Sequence, residues 1–295
     1  MKETYKSRLL LVTLIIILLL YLINAQFIIT CIINYSKLFL TKLFPVSFVF
    51  IIISNLLIDY GLIEFLSTYL RINISRFYIF FISMISGFPS GAKYIVDLYN
   101  KGLIDIETAN KSIMFSHFPN PLFVLGSVNM ILHDYLLSLK LLFSILISNF
   151  IIYLVTKNKT GAATFTYSAP ESFSYCLIKA INDSSQVMFL IYGISLFFYL
   201  ISAIITKYVK SSPLIYILVS GMFDLTQGVF STIVVSNNTI RALCILIFIS
   251  FGSLTIHMQV NGIINNTGIK YRNFLRGRLL GLFLSICIFL ILVLL

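Results

Sequence analysis

The chain has 295 residues, of which 59% are hydrophobic and 11% charged, and its mean hydropathy is +1.00. A soluble domain of this length has too little interior to cover so much apolar surface, so the composition predicts an integral membrane protein. The net charge of +11 raises the question of nucleic-acid binding. No basic face interleaved with aromatic residues lies outside the apolar runs, and we therefore expect no nucleic-acid partner.

Nine apolar runs follow one another along the chain. A helix needs about 20 apolar residues to cross a bilayer, so a chain of this length can form about eight to ten spans. The runs cover residues 9–33, 44–66, 77–100, 107–133, 135–156, 173–205, 213–235, 241–262 and 274–295. The predicted fold class is all-α: a polytopic membrane protein with a duplicated core and interrupted or re-entrant helices. We divide it into an N-terminal membrane helix (1–40), a first repeat (41–155), a polar linker (156–171), a second repeat (172–264) and a C-terminal membrane helix (265–295).

The charged residues at the two ends bear on the topology. The run 9–33 is too long for the apolar part of a signal peptide, so we predict one anchored helix there. The distribution of Lys and Arg over the loops favours a cytoplasmic N-terminus, and Arg276 and Arg278 are predicted to anchor the last span at the membrane surface. Each re-entrant hairpin would reverse the direction of the next span. Whether the two repeats are parallel or inverted therefore stays open.

The third, fourth, seventh and eighth runs are interrupted by glycine, proline and polar residues. In the first copy the interruptions lie within 85–93 and 115–123, and in the second within 219–228 and 248–259. Ser86 to Ser220 and Ser116 to Ser250 are both 134 positions apart, so the copies keep one register. Paired interrupted segments in a membrane protein indicate a transporter's substrate site.

The first interruption predicts an anion site. A broken helix survives in hydrocarbon only where protein or a water-filled cavity covers the break. The break at Gly87, Pro89, Ser90 and Gly91 also leaves the N-terminus of a half-helix, which attracts carboxylate or phosphate groups. Lys93 would add a positive charge beside it. The alternative is a proline kink with a lysine that extends to the membrane surface, but the matching break in the second copy favours the functional interpretation.

The other interruptions supply further candidate ligands. Asn120 lies between two prolines and its amide can donate or accept, although a plain loop between spans would explain the prolines equally well. An acid inside a membrane is a site hypothesis by default, and a proton, a sodium ion or Lys93 could partner Asp224. A lone histidine such as His257 is more often a hydrogen-bonded packing residue. The predicted substrate-binding residues are Gly87, Pro89, Ser90, Gly91, Lys93, Asn120, Pro121, Asp224, Gln227, His257 and Gln259.

Enzymatic chemistry has no support in the sequence. We find no Ser/His/Asp set, paired carboxylates, metal-ligand spacing or phosphate loop, so we expect neither an enzyme nor a bound metal or cofactor. The four cysteines are scattered without a C-x-x-C pair, so no disulfide framework or zinc site is indicated. The expected partners are a small anionic substrate and the lipid bilayer, and a homo-oligomer is left open.

At these same residues the chain resembles the sporulation integral membrane protein YlbJ family, among the "nucleoside recognition" or Gate-domain membrane proteins. The resemblance rests on G-F-P-S-G-A-K at 87–93, N-P-L-F at 120–123 and D-L-T-Q-G at 224–228, and it extends from about residue 45 to 278. It implies two Gate-like repeats and a carrier that moves dipicolinic acid from the mother cell toward the forespore. The membrane would then be the cell membrane or the outer forespore membrane of a spore-forming bacterium.

Two alternatives remain at the level of the sequence. The Gate-domain resemblance also fits a cation-coupled nucleoside transporter, which would require sodium and be inhibited by uridine. A membrane scaffold of a sporulation complex would transport nothing and would tolerate substitutions in the broken segments better than in its loops. The sequence leaves open the substrate, the coupling ion, the direction of transport and the oligomeric state.

Overall fold

The structure is a computed structural model that describes residues 2–62, 65, 74–156, 171–209 and 212–295, and within these residues the regular elements are all helical. The helices are α1 (Lys2–Ile23), α2 (Ala25–Leu38), α3 (Phe44–Asp59), α4 (Ile74–Ser86), α5 (Ser90–Asn100), α6 (Ile106–Phe115), α7 (Asn129–Leu132), α8 (Tyr135–Val155), α9 (Phe173–Tyr208), α10 (Pro213–Phe223), α11 (Leu225–Ser231), α12 (Asn238–Phe251), α13 (Leu254–Ile264) and α14 (Tyr271–Leu294). The π-helical turns Phe39–Leu43 and Phe123–Val128 lead into α3 and α7. The predicted polar linker lies almost wholly outside the described residues.

Several of these helices are long and apolar enough to cross a membrane. Among the described residues they are α8, α9, α14 and the consecutive helices α12 and α13, and the bent pair α1 and α2 forms one more if it counts as a single span. These helices confirm the predicted all-α, multi-pass membrane fold. α4, α5, α10 and α11 are too short to cross by themselves.

The N-terminal run 9–33, predicted as one helix, is two helices in the structure. The axes of Ser7–Ile23 and Ala25–Leu43 differ by 95°. Asn24 lies at the corner, where its Nδ2 donates to Leu20 O at 2.8 Å and to the Tyr208 hydroxyl at 2.9 Å. The side-chain amide thus connects the corner between α1 and α2 to the end of α9.

All four predicted interruptions are breaks between helices. The first break (87–89) separates α4 from α5, and the second (116–120) follows α6. The third, at Asp224, separates α10 from α11, and the fourth (252–253) separates α12 from α13. Gly87 and Gly252 have φ values of 76° and 78°. This left-handed backbone ends a helix and is easily adopted only by glycine.

Two of the helices that begin at breaks lack the side-chain caps of helices that follow surface loops, although Asp224 caps α11 at the third break. Asp134 accepts from Leu137 N at 2.9 Å and caps α8, and Asn237 accepts from Ile240 N at 3.0 Å and caps α12. In contrast, no side chain caps α5 or α13. The first N–H groups of these two half-helices therefore have no side-chain acceptor inside the protein.

Close backbone contacts hold the breaks together. A Cβ on Gly91 would lie 2.3 Å from Ser116 O, so the first and second breaks pack backbone against backbone. A Cβ on Gly228 would lie 2.3 Å from Gly221 Cα, which joins α11 to α10 in the same way. Ser253 Oγ donates to Gly221 O and thereby connects the fourth break to α10. Glycine at these positions lets each pair of breaks bury its exposed backbone.

Gly277 and Gly281 form a matched pair of positions on α14. A Cβ on Gly277 would lie 2.1 Å from Met114 O of α6, whereas a Cβ on Gly281 has no heavy atom nearer than 3.6 Å. We expect Gly277→Ala to push α14 from α6 and to destabilise the protein by about 1–3 kcal/mol. Gly281→Ala should be neutral or stabilising because alanine favours helix. Thermal denaturation in detergent compares the two, and equal melting temperatures would contradict this packing.

Candidate functional site

A cavity lies where the second halves of the broken helices begin. Its empty space, including the part open to the surroundings, is about 550 Å³. Its polar lining residues are Ser47, Asn120, Ser195, Thr226, Thr255 and Gln259, and three of the apolar ones are Phe39, Phe88 and Phe123. None of the residues that line this cavity carries a positive charge.

Every break contributes to this lining. Phe88 precedes α5 and Asn120 ends the second break, while Thr226 and Thr255 lie in the first turns of α11 and α13. Phe88 N donates to Phe118 O at 2.7 Å, which joins the first break to the second. The positive ends of the half-helix dipoles therefore point toward one region, and those of α5 and α13 lack side-chain caps.

Several buried polar atoms in this lining make no hydrogen bond within the chain. Gln259 is fully buried, and neither its Oε1 nor its Nε2 has a partner. Thr255 Oγ1 and Asn120 Nδ2 are also buried and have no hydrogen-bond partner. Asn120 Oδ1 accepts from Leu122 N at 2.9 Å, which fixes the amide orientation and leaves Nδ2 as the free donor. Buried polar groups are nearly always paired, so these unpaired atoms distinguish this lining from ordinary core packing.

The apolar part of the cavity is aromatic. Phe88 stacks on His117 with ring centroids 4.7 Å apart and an interplanar angle of 10°. Phe39 and Phe123 contribute two further rings to the lining. Aromatic walls around a few polar groups are suited to a flat, partly apolar solute.

The structure places only part of the predicted substrate-binding set on the cavity. Asn120 and Gln259 line it. Asp224 is 1% exposed and lies directly before Leu225 and Thr226, which line it. The other predicted residues, Gly87, Pro89, Ser90, Gly91, Lys93, Pro121, Gln227 and His257, are not among the lining side chains.

Several of these residues have packing roles. A Cβ on Gly87 would lie 2.7 Å from Asn120 N, so this glycine lets the first two breaks approach each other. Pro89 directly precedes α5, and Ser90 is buried with a hydroxyl that makes no hydrogen bond. Pro121 begins the helical stretch after the second break, and Gln227 is half-buried on α11. These residues shape the breaks rather than the cavity wall.

Lys93 and His257 each face another part of the protein. Lys93 is half-buried on α5, and its charge acts on Asp97 one turn further along the same helix. His257 Nε2 donates to Phe251 O at 3.1 Å, and its Nδ1 accepts from the Tyr271 hydroxyl at 2.7 Å. Both ring nitrogens are therefore occupied, as in a packing histidine.

The prediction that Arg278 anchors the last span at the membrane surface is wrong. Its side chain is 1% exposed and donates to Met114 O at 2.9 Å, to Ser250 O at 3.2 Å and to Asn149 Oδ1 at 3.1 Å. Gly277 lets α14 approach α6 closely, and this approach buries the next residue as well. The carbonyl groups of Met114 and Ser250 belong to the C-terminal turns of α6 and α12, where helix dipoles are negative.

A short network extends from Arg278 across the breaks. Asn149, which accepts from Arg278, donates to His117 O at 3.0 Å. His117 Nε2 in turn donates to Ile249 O at 3.0 Å, near the end of α12. The second and fourth breaks, one from each predicted repeat, are thus tied together around one buried cation. Sequence reasoning missed Arg278 and Asn149, although a polar Asn within the apolar run 135–156 was a signal.

Comparison with known proteins agrees with the resemblance identified from the motifs. The chain is 23% identical to the sporulation integral membrane protein YlbJ of Bacillus subtilis (strain 168), over an alignment of 302 residues that covers 84% of this chain and 73% of that protein. No protein-family profile matches the chain. No solved structure matches it either. The resemblance to this sporulation membrane protein is therefore confirmed, as a distant relationship.

Arg276 provides a matched control for Arg278, because it lies exposed on the same helix. Arg278→Met should leave two helix-end carbonyl groups without their donor and lower the stability by at least about 2 kcal/mol. Arg276→Met should change it by no more than about 0.5 kcal/mol. Melting temperatures of the purified variants in detergent measure the difference. A similar, small effect of both substitutions would show that the buried network is not needed for stability.

Proposed function

We propose that the protein is a membrane carrier that moves a small, flat organic anion through this cavity, with dipicolinic acid as the first candidate. The observation that supports it most directly is the set of unpartnered polar atoms on Asn120, Thr255 and Gln259 in a cavity between four broken helices. Broken helices in membrane proteins are tolerated where they line a cavity, and carriers place their substrates there.

The chemistry of the cavity supports an anion that is recognised without a fixed positive charge. The amide nitrogens of Asn120 and Gln259 and the hydroxyl of Thr255 are donors for carboxylate oxygens. The uncapped N-termini of α5 and α13 add a favourable field and free N–H groups. Dipicolinic acid is a flat pyridine with two carboxylates, so its ring suits the walls formed by Phe39 and Phe88.

The arrangement of the breaks supports alternating access. We propose that the helices around the cavity move against each other, so that the cavity opens to one side of the membrane at a time. By analogy with the distant sporulation relative, this transport would take place during sporulation, from the mother cell toward the forespore. The network around Arg278 would hold the second and fourth breaks together as one unit.

A nucleoside is the second candidate, and one observation favours it. Gln259 leaves an acceptor, Oε1, without a partner as well as a donor, Nε2. A fully ionised dicarboxylate offers only acceptors and satisfies Nε2 alone, whereas a nucleobase amide can pair with both atoms. A nucleoside carrier would use the same cavity and the same breaks.

Gln259→Leu tests the cavity with a matched control. Gln259 has no partner inside the protein, so Gln259→Leu should leave the fold intact while it removes both hydrogen-bonding atoms. We expect a loss of at least about tenfold in uptake of labelled dipicolinate by proteoliposomes. Asn261→Leu, which removes an exposed amide from the same helix, should retain the wild-type rate.

Competition by uridine identifies the substrate class in the same experiment. Saturable uptake of dipicolinate that uridine does not inhibit supports the anion carrier, whereas uptake of labelled uridine without uptake of dipicolinate supports the nucleoside carrier. A well-folded protein that binds and transports neither compound would contradict transport and favour a scaffold role.

Lys93→Ala tests whether the substrate binds at the anion site predicted from the sequence or in the cavity of the structure. If Lys93 held the substrate carboxylate, this substitution would abolish uptake at unchanged protein abundance. Because Lys93 lies off the cavity lining and beside Asp97, we expect Lys93→Ala to keep uptake within about threefold of wild type, a difference of less than 1 kcal/mol. A loss comparable to that of Gln259→Leu would place the lysine in the substrate path.

A further inference from the structure

Asp224 is a buried acid that has no counter-ion among the described residues. It is 1% exposed. The ion pairs between described residues are Lys111 with Glu107 and Lys179 with Asp59, and neither includes Asp224. An ionised carboxylate at such a depth is strongly disfavoured unless a cation or several donors compensate it.

The two carboxyl oxygens of Asp224 have different environments. Oδ1 accepts from Gln227 N at 2.9 Å and caps α11. Oδ2 is buried and makes no hydrogen bond. The hydroxyls of Tyr35 and Ser195 lie within interaction range of the carboxyl, and the Tyr35 hydroxyl also makes no hydrogen bond. A proton on Oδ2 would give this oxygen a donor that either hydroxyl oxygen can accept.

The described neighbours that act on the Asp224 carboxyl offer hydroxyl and backbone N–H groups and no basic side chain. Tyr35 of α2 and Tyr199 of α9 lie within electrostatic range of the carboxyl, and their rings stack with centroids 4.9 Å apart. The Tyr192 ring of α9 lies 6.3 Å from the Tyr35 ring. The hydroxyls of Tyr35 and Ser195 can share a proton with the carboxyl through a hydrogen bond, and neither can neutralise it as a cation would.

The acid also borders the cavity. Thr226, two residues further along, lines it, and so does Ser195, which lies near the carboxyl on the other side. A change in the charge of Asp224 therefore takes place beside the position of the substrate. Proton binding at Asp224 and substrate binding in the adjoining cavity are therefore energetically coupled.

We propose that Asp224 is the proton-binding site that couples transport to a proton gradient. The proposal rests on the proposed carrier function. Hydronium on one side of the membrane gives a proton to Oδ2, an O–H bond forms, and the neutral acid donates to Ser195 or Tyr35 while the substrate occupies the cavity. After the cavity opens to the other side, the O–H bond breaks and water accepts the proton. One proton then crosses with each substrate.

Asp224→Asn is the variant that tests the proposal. The asparagine oxygen can still accept from Gln227 N and cap α11, so the local fold should be kept, but the amide cannot bind and release a proton. Asp97→Asn is the control, because Asp97 is an exposed carboxylate on α5. Proteoliposomes that enclose a pH-sensitive dye are given a dipicolinate gradient, and separately a pH gradient with equal dipicolinate on both sides.

In wild type and Asp97→Asn we expect the dipicolinate gradient to drive proton entry, and the pH gradient to raise dipicolinate accumulation several-fold. In Asp224→Asn both effects should disappear, and any remaining dipicolinate exchange should not depend on pH. Uptake by the wild type without proton movement, or accumulation driven by sodium alone, would overturn the coupling role and leave the carrier function intact.

A substrate-free measurement separates the two proposals. We expect the infrared spectrum of the wild type to contain the carbonyl stretching band of a protonated carboxylic acid, and this band should titrate with pH. The spectrum of Asp224→Asn should lack it. Absence of this band throughout the physiological pH range would overturn the assignment of a proton to Asp224. Absence of dipicolinate and uridine uptake by the wild type, with the band present, would overturn the carrier function and the coupling role, and would leave only the proton-binding site at Asp224.

Discussion

The backbone of a membrane protein must satisfy its own hydrogen bonds, and in this protein that constraint acts at four broken helices. Each break exposes N–H and C=O groups that lipid cannot pair. The structure covers them by packing breaks against each other through glycine, as at Gly91 and Ser116 O, and by side chains that bond to the helix ends. The cavity exists because the four breaks are gathered at one place. The packing that buries the four breaks therefore also forms the cavity.

The polarity of the half-helices divides this region into two chemically different parts. The C-terminal ends of α6 and α12 converge on the Arg278 guanidinium, which donates to Met114 O and Ser250 O. The N-terminal ends of α5 and α13 border the cavity instead. A buried cation thus stabilises the negative ends, while the positive ends remain available to a ligand. The chain places its fixed positive charge in the scaffold and leaves the cavity neutral.

Composition and local residues were sufficient to predict the membrane class, the helical fold and the four breaks around the cavity, although not the bend at Asn24. Hydrophobic runs, glycine and proline act locally, so their effect does not depend on the rest of the fold. The orientation of individual side chains could not be predicted in the same way. Lys93 follows the first break closely, yet it is not among the residues that line the cavity. Arg278 looked like an anchor in a basic stretch, and only the close approach of α14 to α6 buries it.

A neutral cavity has a physical advantage for a carrier of anions. A fixed lysine against a dicarboxylate in a low-dielectric site would bind strongly in both orientations and slow the release of the substrate. Amide and hydroxyl donors bind more weakly and can be exchanged for water when the cavity opens. On the proposed mechanism the nearby carboxyl of Asp224 then sets the affinity. The ionised carboxylate repels an anion, whereas the protonated acid does not. Proton binding and anion binding therefore favour each other by the same free energy. This reciprocity lets one proton make the substrate bind on one side and leave on the other.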